Sequence, residues 1–200
     1  MSGSPSPSWS PNAVSADIER VRAARSGDVA AFNDLVLEYQ DLAYNVASRL
    51  VGNGEIAADV TQDAFLAAYR HLDQFKGGSF RSWLLRIVTN ASYDVLRSRH
   101  QNKQSLDQMI DESGFDVSDP ADLPEDLALR QETRVAIEQA IQTLPFEQRS
   151  VVVLYDVHQL SYEEVAAALN INLGTVKSRL SRARARLRDY LMANRELWNA

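Results

Sequence analysis

The chain has 200 residues, of which 45% are hydrophobic, and it contains no cysteine. This composition is ordinary for a globular protein, and the absence of thiols excludes disulfides and thiolate metal sites and predicts a reducing, cytoplasmic compartment. The formal net charge of -6 argues at first against a nucleic-acid partner, because DNA affinity depends largely on Lys and Arg that neutralise phosphates. The distribution reverses that argument: residues 107–126 hold eight carboxylates and no cation, whereas residues 177–188 hold six cations and no carboxylate.

The N-terminal segment, residues 1–15, is rich in serine and proline and has neither a basic start nor an apolar run. These features predict a disordered tail and not a signal peptide. The densest apolar run, residues 151–155, is far shorter than the roughly 18 apolar residues that cross a bilayer. No membrane insertion is therefore expected.

Three helices are predicted after that tail, together with a shorter segment over residues 17–26. The first helix ends before Gly52, the second runs from about residue 55 to 72, and the third follows a loop at residues 76–79. The first carries apolar residues at intervals of three and four: Phe32, Leu35, Val36, Tyr39, Leu42, Val46 and Leu50. The third carries a similar stripe: Phe80, Trp83, Leu84, Ile87, Val88, Ala91 and Val95. Both stripes, with Trp83 in the core, predict a helical bundle over residues 16–101.

The helical pattern stops after Arg99, and residues 102–124 are polar and acidic and are broken by glycine and prolines, which predicts a flexible linker. Helical spacing resumes over residues 135–144, and Pro145 is suited to begin a further helix. No segment alternates with a period of two for long enough to predict a sheet. The expected fold class is all-α, with two small helical domains, residues 16–101 and 125–192, joined by the acidic linker.

The C-terminal part has the pattern of a helix-turn-helix. Ser161 and Glu164 form a capping box at the start of a helix to Leu169, and a tight turn leads into a basic helix that ends near residue 191. In such motifs the second helix enters the DNA major groove. Its apolar stripe is Val176, Leu180, Ala183 and Leu187, and its other faces carry Lys177, Ser178, Ser181, Arg182 and Arg184. Because these cations begin in the first turns, where the helix dipole disfavours them, we interpret them as DNA contacts and not as a solvated face.

Motifs from both predicted domains occur together in one order. Residues 160–166 (LSYEEVA) and 174–184 (GTVKSRLSRAR) look like region 4 of extracytoplasmic-function sigma factors, and residues 59–65 (DVTQDAF) and 80–90, ending in WLLRIVTN, resemble their region 2. The resemblance covers roughly residues 17–101 and 125–191. It implies a non-enzymatic protein, without cofactor, metal or catalytic residues, that directs core RNA polymerase to particular promoters under the control of an anti-sigma factor.

The resemblance also assigns roles to residues of the first domain. In the family, a helix with an Asp-x-x-Gln-Asp/Glu pattern docks on the clamp helices of the largest polymerase subunit, which here implies Asp59, Gln62 and Asp63, three residues on one helical face. Region 2 also opens the minus-ten element and holds its single strand, a task that needs amides or aromatics for bases and cations for the backbone. The corresponding residues are Lys76, Arg86, Asn90 and Arg97, with Asn90 the candidate contact to a flipped base.

Region 4 of the family reads the minus-thirty-five element as duplex and contacts the flap of the second-largest polymerase subunit. The corresponding residues here are Thr175, Lys177, Ser178, Arg179, Ser181 and Arg182. Family members often have a proline where this chain has Asn172, and an asparagine N-cap can also start the helix. The resemblance further implies that the acidic linker occupies polymerase channels as a mimic of RNA, for which plain solvation is the alternative.

Two other classes of function compete with this interpretation. A DNA-binding regulator with a helical sensor domain would explain residues 161–188, but it would leave residues 59–90 unexplained and would bind DNA without polymerase. An enzyme would need a convergent set of reactive groups. The three histidines, His71, His100 and His158, are far apart in the sequence and have no ligand spacing, so an enzyme is disfavoured.

Overall fold

A computed structural model describes residues 11–105 and 125–194 of the chain, with side chains for residues 14–101 and 133–194. Within these ranges the chain forms helices and no strand, which confirms the all-α prediction. A 3-10 turn, Leu72–Gln74, and a π-helical turn, Val153–Val157, interrupt the α-helices. The α-helices are α1 (Pro11–Arg25), α2 (Val29–Val51), α3 (Gly54–Arg70), α4 (Phe80–Ser105), α5 (Glu125–Gln142), α6 (Phe146–Val152), α7 (Tyr162–Leu169) and α8 (Leu173–Ala193).

Helices α1 to α4 form a first bundle around the predicted apolar stripes. Asp28 caps α2 by accepting hydrogen bonds from the backbone N–H groups of residues 30 and 31, and Gly52, with φ of +73°, ends it in the left-handed conformation that glycine adopts most readily. The core of this bundle is apolar, and several of its largest side chains are fully buried: Leu35, Leu50, Phe80, Leu84 and Leu85.

Helices α5 to α8 form a second, smaller bundle that contains the helix-turn-helix. The predicted capping box is present, because the Ser161 hydroxyl accepts from the Glu164 N–H and the Glu164 carboxylate accepts from the Ser161 N–H. Asn172 caps α8 through its side-chain oxygen, which lies 2.8 Å from the Thr175 N–H. The predicted apolar stripe of α8 faces inward at Val176, Leu180 and Ala183. Local sequence signals therefore place both helices of the motif.

Several boundaries differ from those expected. Helix α1 begins at Pro11, so helix replaces the last five residues of the predicted tail, since proline is favoured in the first helical turn. Helix α4 continues to Ser105 and takes four residues from the predicted linker, because no glycine or proline stops it there. Residues 1–10, 106–124 and 195–200 lie outside the described part, including most of the predicted tail and linker.

The two bundles pack directly against each other. The Arg49 guanidinium forms an ion pair with Glu138 of α5 at 2.9 Å, and the Arg49 carbonyl accepts from the side-chain amide of Gln142 at 2.7 Å. The Arg149 guanidinium donates to the Leu50 carbonyl at 2.6 Å. Polar groups of the second bundle thus bind the C-terminal end of α2, whose last carbonyls have no partner inside the helix.

A second set of contacts joins the start of α4 to the second bundle. The Arg81 guanidinium donates to the His158 carbonyl at 3.2 Å and lies 3.8 Å from the Glu164 carboxylate. Burial lowers the pKa of Arg81, although Glu164 opposes that shift. Burial, followed by the positive charges of Arg49 and Arg81, lowers the pKa of His158 to about 4. The imidazole is therefore neutral at physiological pH, which avoids a third positive charge in the contact.

Candidate polymerase and nucleic-acid interfaces

The predicted polymerase-binding residues project from α3 into solvent. Asp59, Gln62 and Asp63 are all exposed, while the opposite face of the helix buries its apolar residues in the core. Asn53 caps the start of α3, with its side-chain oxygen 2.9 Å from the Ile56 N–H. The core therefore orients this face, and two carboxylates and an amide are presented together for a cationic or polar partner.

An apolar groove that the sequence analysis missed lies beside this face. It has a volume of about 680 Å³ between α2 and α3, and Gln62 lies on its wall. Its lining includes four large apolar side chains that remain exposed: Val29, Tyr44, Leu66 and Tyr69. Val29 and Tyr44 fall outside the apolar stripe that predicted the buried face of the first helix, and these extra apolar residues were the signal that could have revealed the groove. Exposed apolar side chains that share one groove are typical of a protein-binding surface.

Three of the four predicted minus-ten residues meet in one recess. Lys76, Arg86 and Asn90 line a depression of about 680 Å³ between the α3–α4 loop and α4, together with Phe75 and Trp83. Arg86 and Asn90 are four residues apart on α4 and are therefore neighbours on one face. The fourth residue, Arg97, is exposed about two turns farther along the helix and is not part of the lining.

Aromatic packing shapes the wall of the recess. The ring of Trp83 lies 5.6 Å from that of Phe75 and 5.7 Å from that of Phe80, measured between centroids. Phe75 and Phe80 are buried, whereas Trp83 is half-buried and packs against the core, where its place on the apolar stripe predicted it. Because α4 borders the recess at this point, Trp83 also lines the recess, which the stripe did not indicate. The Ser79 hydroxyl caps α4 by accepting from the Ser82 N–H at 3.1 Å.

The predicted minus-thirty-five residues lie along the first three turns of α8. Lys177, Ser178, Ser181 and Arg182 are exposed, and Thr175 and Arg179 are half-buried. The Thr175 hydroxyl donates to the Asn172 side chain at 2.9 Å, so that this threonine also strengthens the N-cap. The motif thus presents short hydroxyls and long cations on one outer surface, as close approach to a duplex requires.

The side chain of Arg184 does not have the orientation toward DNA that the sequence analysis predicted. Its guanidinium forms a two-pronged ion pair with Asp156, with distances of 3.2 Å from Nε and 2.5 Å from Nη2, and it lies over the ring of Tyr155. The Tyr155 ring stacks on that of Tyr162 with centroids 4.5 Å apart, and the ammonium of Lys177 lies 5.7 Å from the centre of the Tyr162 ring. Two cations of α8 therefore pack on the neighbouring elements, a contact that helical spacing cannot reveal.

None of the helices in the described part of the chain has an apolar stretch of the length and hydropathy needed to span a bilayer. Within the same part, no three His, Asp or Glu side chains are grouped so that they could hold a metal ion.

Comparison with protein families identifies both bundles. The family described as Sigma-70 region 2 matches residues 35–101, and the family described as Sigma-70, region 4 matches residues 134–187. The region 2 match accounts for residues 59–90, which the alternative of a DNA-binding regulator leaves unexplained. They also remove the enzyme alternative, because sigma factors are transcription initiation factors.

Curated relatives extend the match across most of the chain. The chain is 39% identical over 173 residues to the ECF RNA polymerase sigma-E factor of Escherichia coli (strain K12), covering 84% of this chain and 88% of that protein. It is 36% identical over 179 residues to the ECF RNA polymerase sigma factor SigW of Bacillus subtilis (strain 168), covering 86% and 95%. It is 38% identical over 170 residues to the ECF RNA polymerase sigma factor SigE of Mycolicibacterium smegmatis, covering 83% of this chain but only 65% of that protein.

Two solved structures are similar over both bundles. The sigma factor RpoE from Bartonella quintana, in complex with the anti-sigma factor NepR, has a TM-score of 0.68 at 28% identity, covering 82% of this chain and 98% of that chain. CnrH, in complex with the cytosolic domain of CnrY, has a TM-score of 0.65 at 30% identity, covering 90% and 99%. The chain belongs to the extracytoplasmic-function (ECF) family of RNA polymerase sigma factors.

Proposed function

We propose that this sigma factor binds core RNA polymerase and directs promoter-specific initiation, with residues 16–101 acting on the minus-ten element and residues 125–192 acting on the minus-thirty-five element. The observation that carries the proposal is that one chain presents two different surfaces whose chemistry suits nucleic acid. The first bundle has a recess of a size that admits a base, and the second has an exposed helix of hydroxyls and cations. These are the surfaces that single-stranded and duplex DNA respectively require.

The α3 face and the groove beside it support polymerase binding by the first bundle. Asp59, Gln62 and Asp63 give a polar face that is complementary to cations, and the groove adds apolar area next to Gln62. Interfaces commonly combine an apolar centre with a polar rim. In this proposal the clamp helices of the largest subunit occupy this surface, while the second bundle contacts the flap of the second-largest subunit.

The recess between the α3–α4 loop and α4 supports capture of an unpaired base of the minus-ten element. The Asn90 side chain offers both a donor and an acceptor to a base edge, and Trp83 offers an aromatic face for stacking. Lys76 and Arg86 flank the recess and Arg97 continues the line of cations along α4, so the phosphate backbone can follow the helix. Extruding a base costs a few kcal/mol, which these contacts would offset.

The outer surface of α8 supports major-groove recognition of the minus-thirty-five element. Ser178 and Ser181 allow the helix to approach base edges closely, whereas Lys177 and Arg182 can reach guanine or phosphate. Arg179 and Thr175 lie at the border of this surface, where contacts to the DNA backbone are geometrically open to them. We therefore assign sequence readout to the centre of this face and positioning to its border.

Two further parts of the proposal concern the linker and regulation. The eight carboxylates of residues 107–126 suit basic polymerase channels that normally hold nucleic acid. The similar Bartonella quintana structure is a complex of the sigma factor RpoE with the anti-sigma factor NepR, which supports control of this chain by an anti-sigma factor. Activity on polymerase and DNA requires the chain to work in the cytoplasm.

Run-off transcription from a promoter library with purified core polymerase tests the proposal. Addition of the protein should give initiation that enriches one pair of motifs, and Asn90→Ala and Lys177→Ala should each weaken selection of one motif only. Gln139→Ala, at an exposed position on α5 away from both surfaces, is the matched control and should behave as the wild type. DNA binding with no stimulation of core polymerase would refute the proposal.

A further inference from the structure

The loop between α3 and α4 forms one side of the minus-ten recess but has few constraints of its own. Gly77 and Gly78 have φ of +96° and +86°, and no atom lies within 4 Å of the position that a Cβ would take at either residue. Two successive glycines with positive φ give the backbone many alternatives when it is unconstrained. Something outside the loop must therefore hold Lys76 at the recess.

A side chain from α1 makes that contact. Arg25, in the last turn of α1, donates from Nε to the Leu72 carbonyl at 2.7 Å and from Nη2 to the carbonyls of both Leu72 and Phe75. The two carbonyls lie at the two ends of the 3-10 turn that precedes the loop. Arg25 is 47 and 50 residues away from these partners in the sequence, so it ties the base of the loop to a different helix.

The geometry connects Arg25 to the recess through one residue. Phe75 is buried, and its ring contacts the buried Phe80 and also Trp83, which lines the recess. Its carbonyl, which Arg25 binds, belongs to the peptide group that leads into Lys76. Burial of the Phe75 ring fixes the side chain, and the Phe75 N–H bonds to the Leu72 carbonyl at 3.1 Å. The bond from Arg25 adds a constraint on the Phe75 carbonyl, from which the backbone leaves toward Lys76.

We infer that Arg25 is a positioning residue for minus-ten recognition: its forked guanidinium holds the loop so that Lys76 and the aromatic wall together shape the recess for one preferred base. This inference rests on the proposed function of the recess. Arginine suits the role because its planar fork can reach two acceptors at once, whereas lysine offers one compact ammonium. Loss of a hydrogen bond from a charged donor lowers the population of the bound geometry by roughly tenfold or more.

The test measures base preference at the minus-ten element for holoenzyme reconstituted with each variant. A promoter library with a randomised minus-ten element and a fixed minus-thirty-five element is transcribed with wild type, Arg25→Ala, Arg25→Lys and the control Arg134→Ala. Arg134 is an exposed cation on α5 of the other bundle, so its loss controls for charge. We expect Arg25→Ala to reduce the ratio of best to second-best base by roughly tenfold, and Arg25→Lys to restore it only partly.

Three companion measurements separate positioning from a loss of folding. Affinity for core polymerase, selection on a library randomised at the minus-thirty-five element, and the melting temperature should remain within the range of the Arg134→Ala control. A merely structural role would lower the polymerase affinity, the minus-thirty-five selection and the melting temperature together and leave the minus-ten base ratio unchanged.

Two results would overturn the inference, and they differ from each other. If wild type selects a minus-ten base and both Arg25 variants keep its ratio, then Arg25 does not position the loop, although the proposed function stands. If wild type shows no minus-ten selection with core polymerase, the proposed function of the recess fails and the inference fails with it.

Discussion

Replacing Glu138 by glutamine removes one charge from the contact between the two bundles. The Arg49–Glu138 pair is joined at 2.9 Å, and the two side chains are only 15% and 12% exposed. An exposed ion pair contributes about 0–1 kcal/mol, whereas breaking a fully buried pair costs about 3–5 kcal/mol because the remaining charge loses its partner. Because both side chains are mostly buried, the cost of breaking this pair should lie nearer the value for a fully buried pair.

The expected loss of stability is reduced by the hydrogen bonds that can still form at the site after the substitution. Arg49 keeps a hydrogen bond from Nη1 to the Asn45 carbonyl, and the substituted glutamine still has an oxygen that can accept. We therefore expect Glu138→Gln to lower the free energy of unfolding by about 2–3 kcal/mol. With a urea m-value of about 2 kcal/mol per molar, the unfolding midpoint should fall by about 1–1.5 M.

Urea unfolding of the wild type, Glu138→Gln, Arg49→Gln and the double variant measures this effect. The double-mutant cycle should give a coupling energy of about 1–2 kcal/mol, which isolates the pair from other effects of each substitution. Glu38→Gln, at an exposed position of α2, is the control for loss of a carboxylate. A midpoint for Glu138→Gln that equals that of the control would refute the conclusion that this ion pair holds the bundles together.

Three further outcomes are expected. The pKa of His158, about 4 in the folded chain and about 6.5 when unfolded, means that the unfolded chain binds more protons between these values. The contribution of neutral His158 to the free energy of unfolding is therefore complete above pH 6.5 and is lost as the pH falls toward 4. The loss between pH 7 and 5 is about 2 kcal/mol. Unfolding of His158→Gln at both pH values should show a pH dependence smaller by that amount. Asp156→Asn should weaken binding to a minus-thirty-five duplex about threefold to tenfold in a fluorescence titration, because Arg184 loses its ion pair and the middle of α8 is less well held against its neighbours. Unchanged affinity would assign Arg184 no positioning role. Arg182→Ala should reduce the slope of log affinity against log salt by about 1 in the same titration if Arg182 binds a phosphate, whereas an unchanged slope would place that cation away from the DNA backbone.

The helices and their caps could be predicted because their signals are local. Apolar spacing of three and four, the Ser161–Glu164 capping box and the Asn172 cap depend only on residues within a few positions of each other, and all appear in the structure as expected. The family could be recognised for the same reason, since its motifs are short and lie on single helices. The exposure of the α8 face likewise follows from the apolar stripe of that helix.

Helical spacing gives the direction of a side chain but not what the chain places in front of it. Arg184 lies outside the apolar stripe of α8, and the structure shows that Asp156 and Tyr155 occupy the space it faces. Trp83 lies on the stripe of α4, but the stripe borders a recess at that point. In both cases the deciding neighbour comes from another element, so the sequence pattern of one helix could not reveal it.

The sequence by itself determined the all-α class, the order of the helices, the helix-turn-helix and the residues that face solvent on α3 and α8. Only the tertiary structure decided that the two bundles pack together, that Lys76, Arg86 and Asn90 share one recess, and that Arg25 holds its loop. The contacts between the bundles and the contact of Arg25 join groups 47 to 99 residues apart, and several of them pair a side chain with a backbone carbonyl. Every residue carries a carbonyl, so such a pairing leaves no pattern in the sequence and is fixed only when the helices pack.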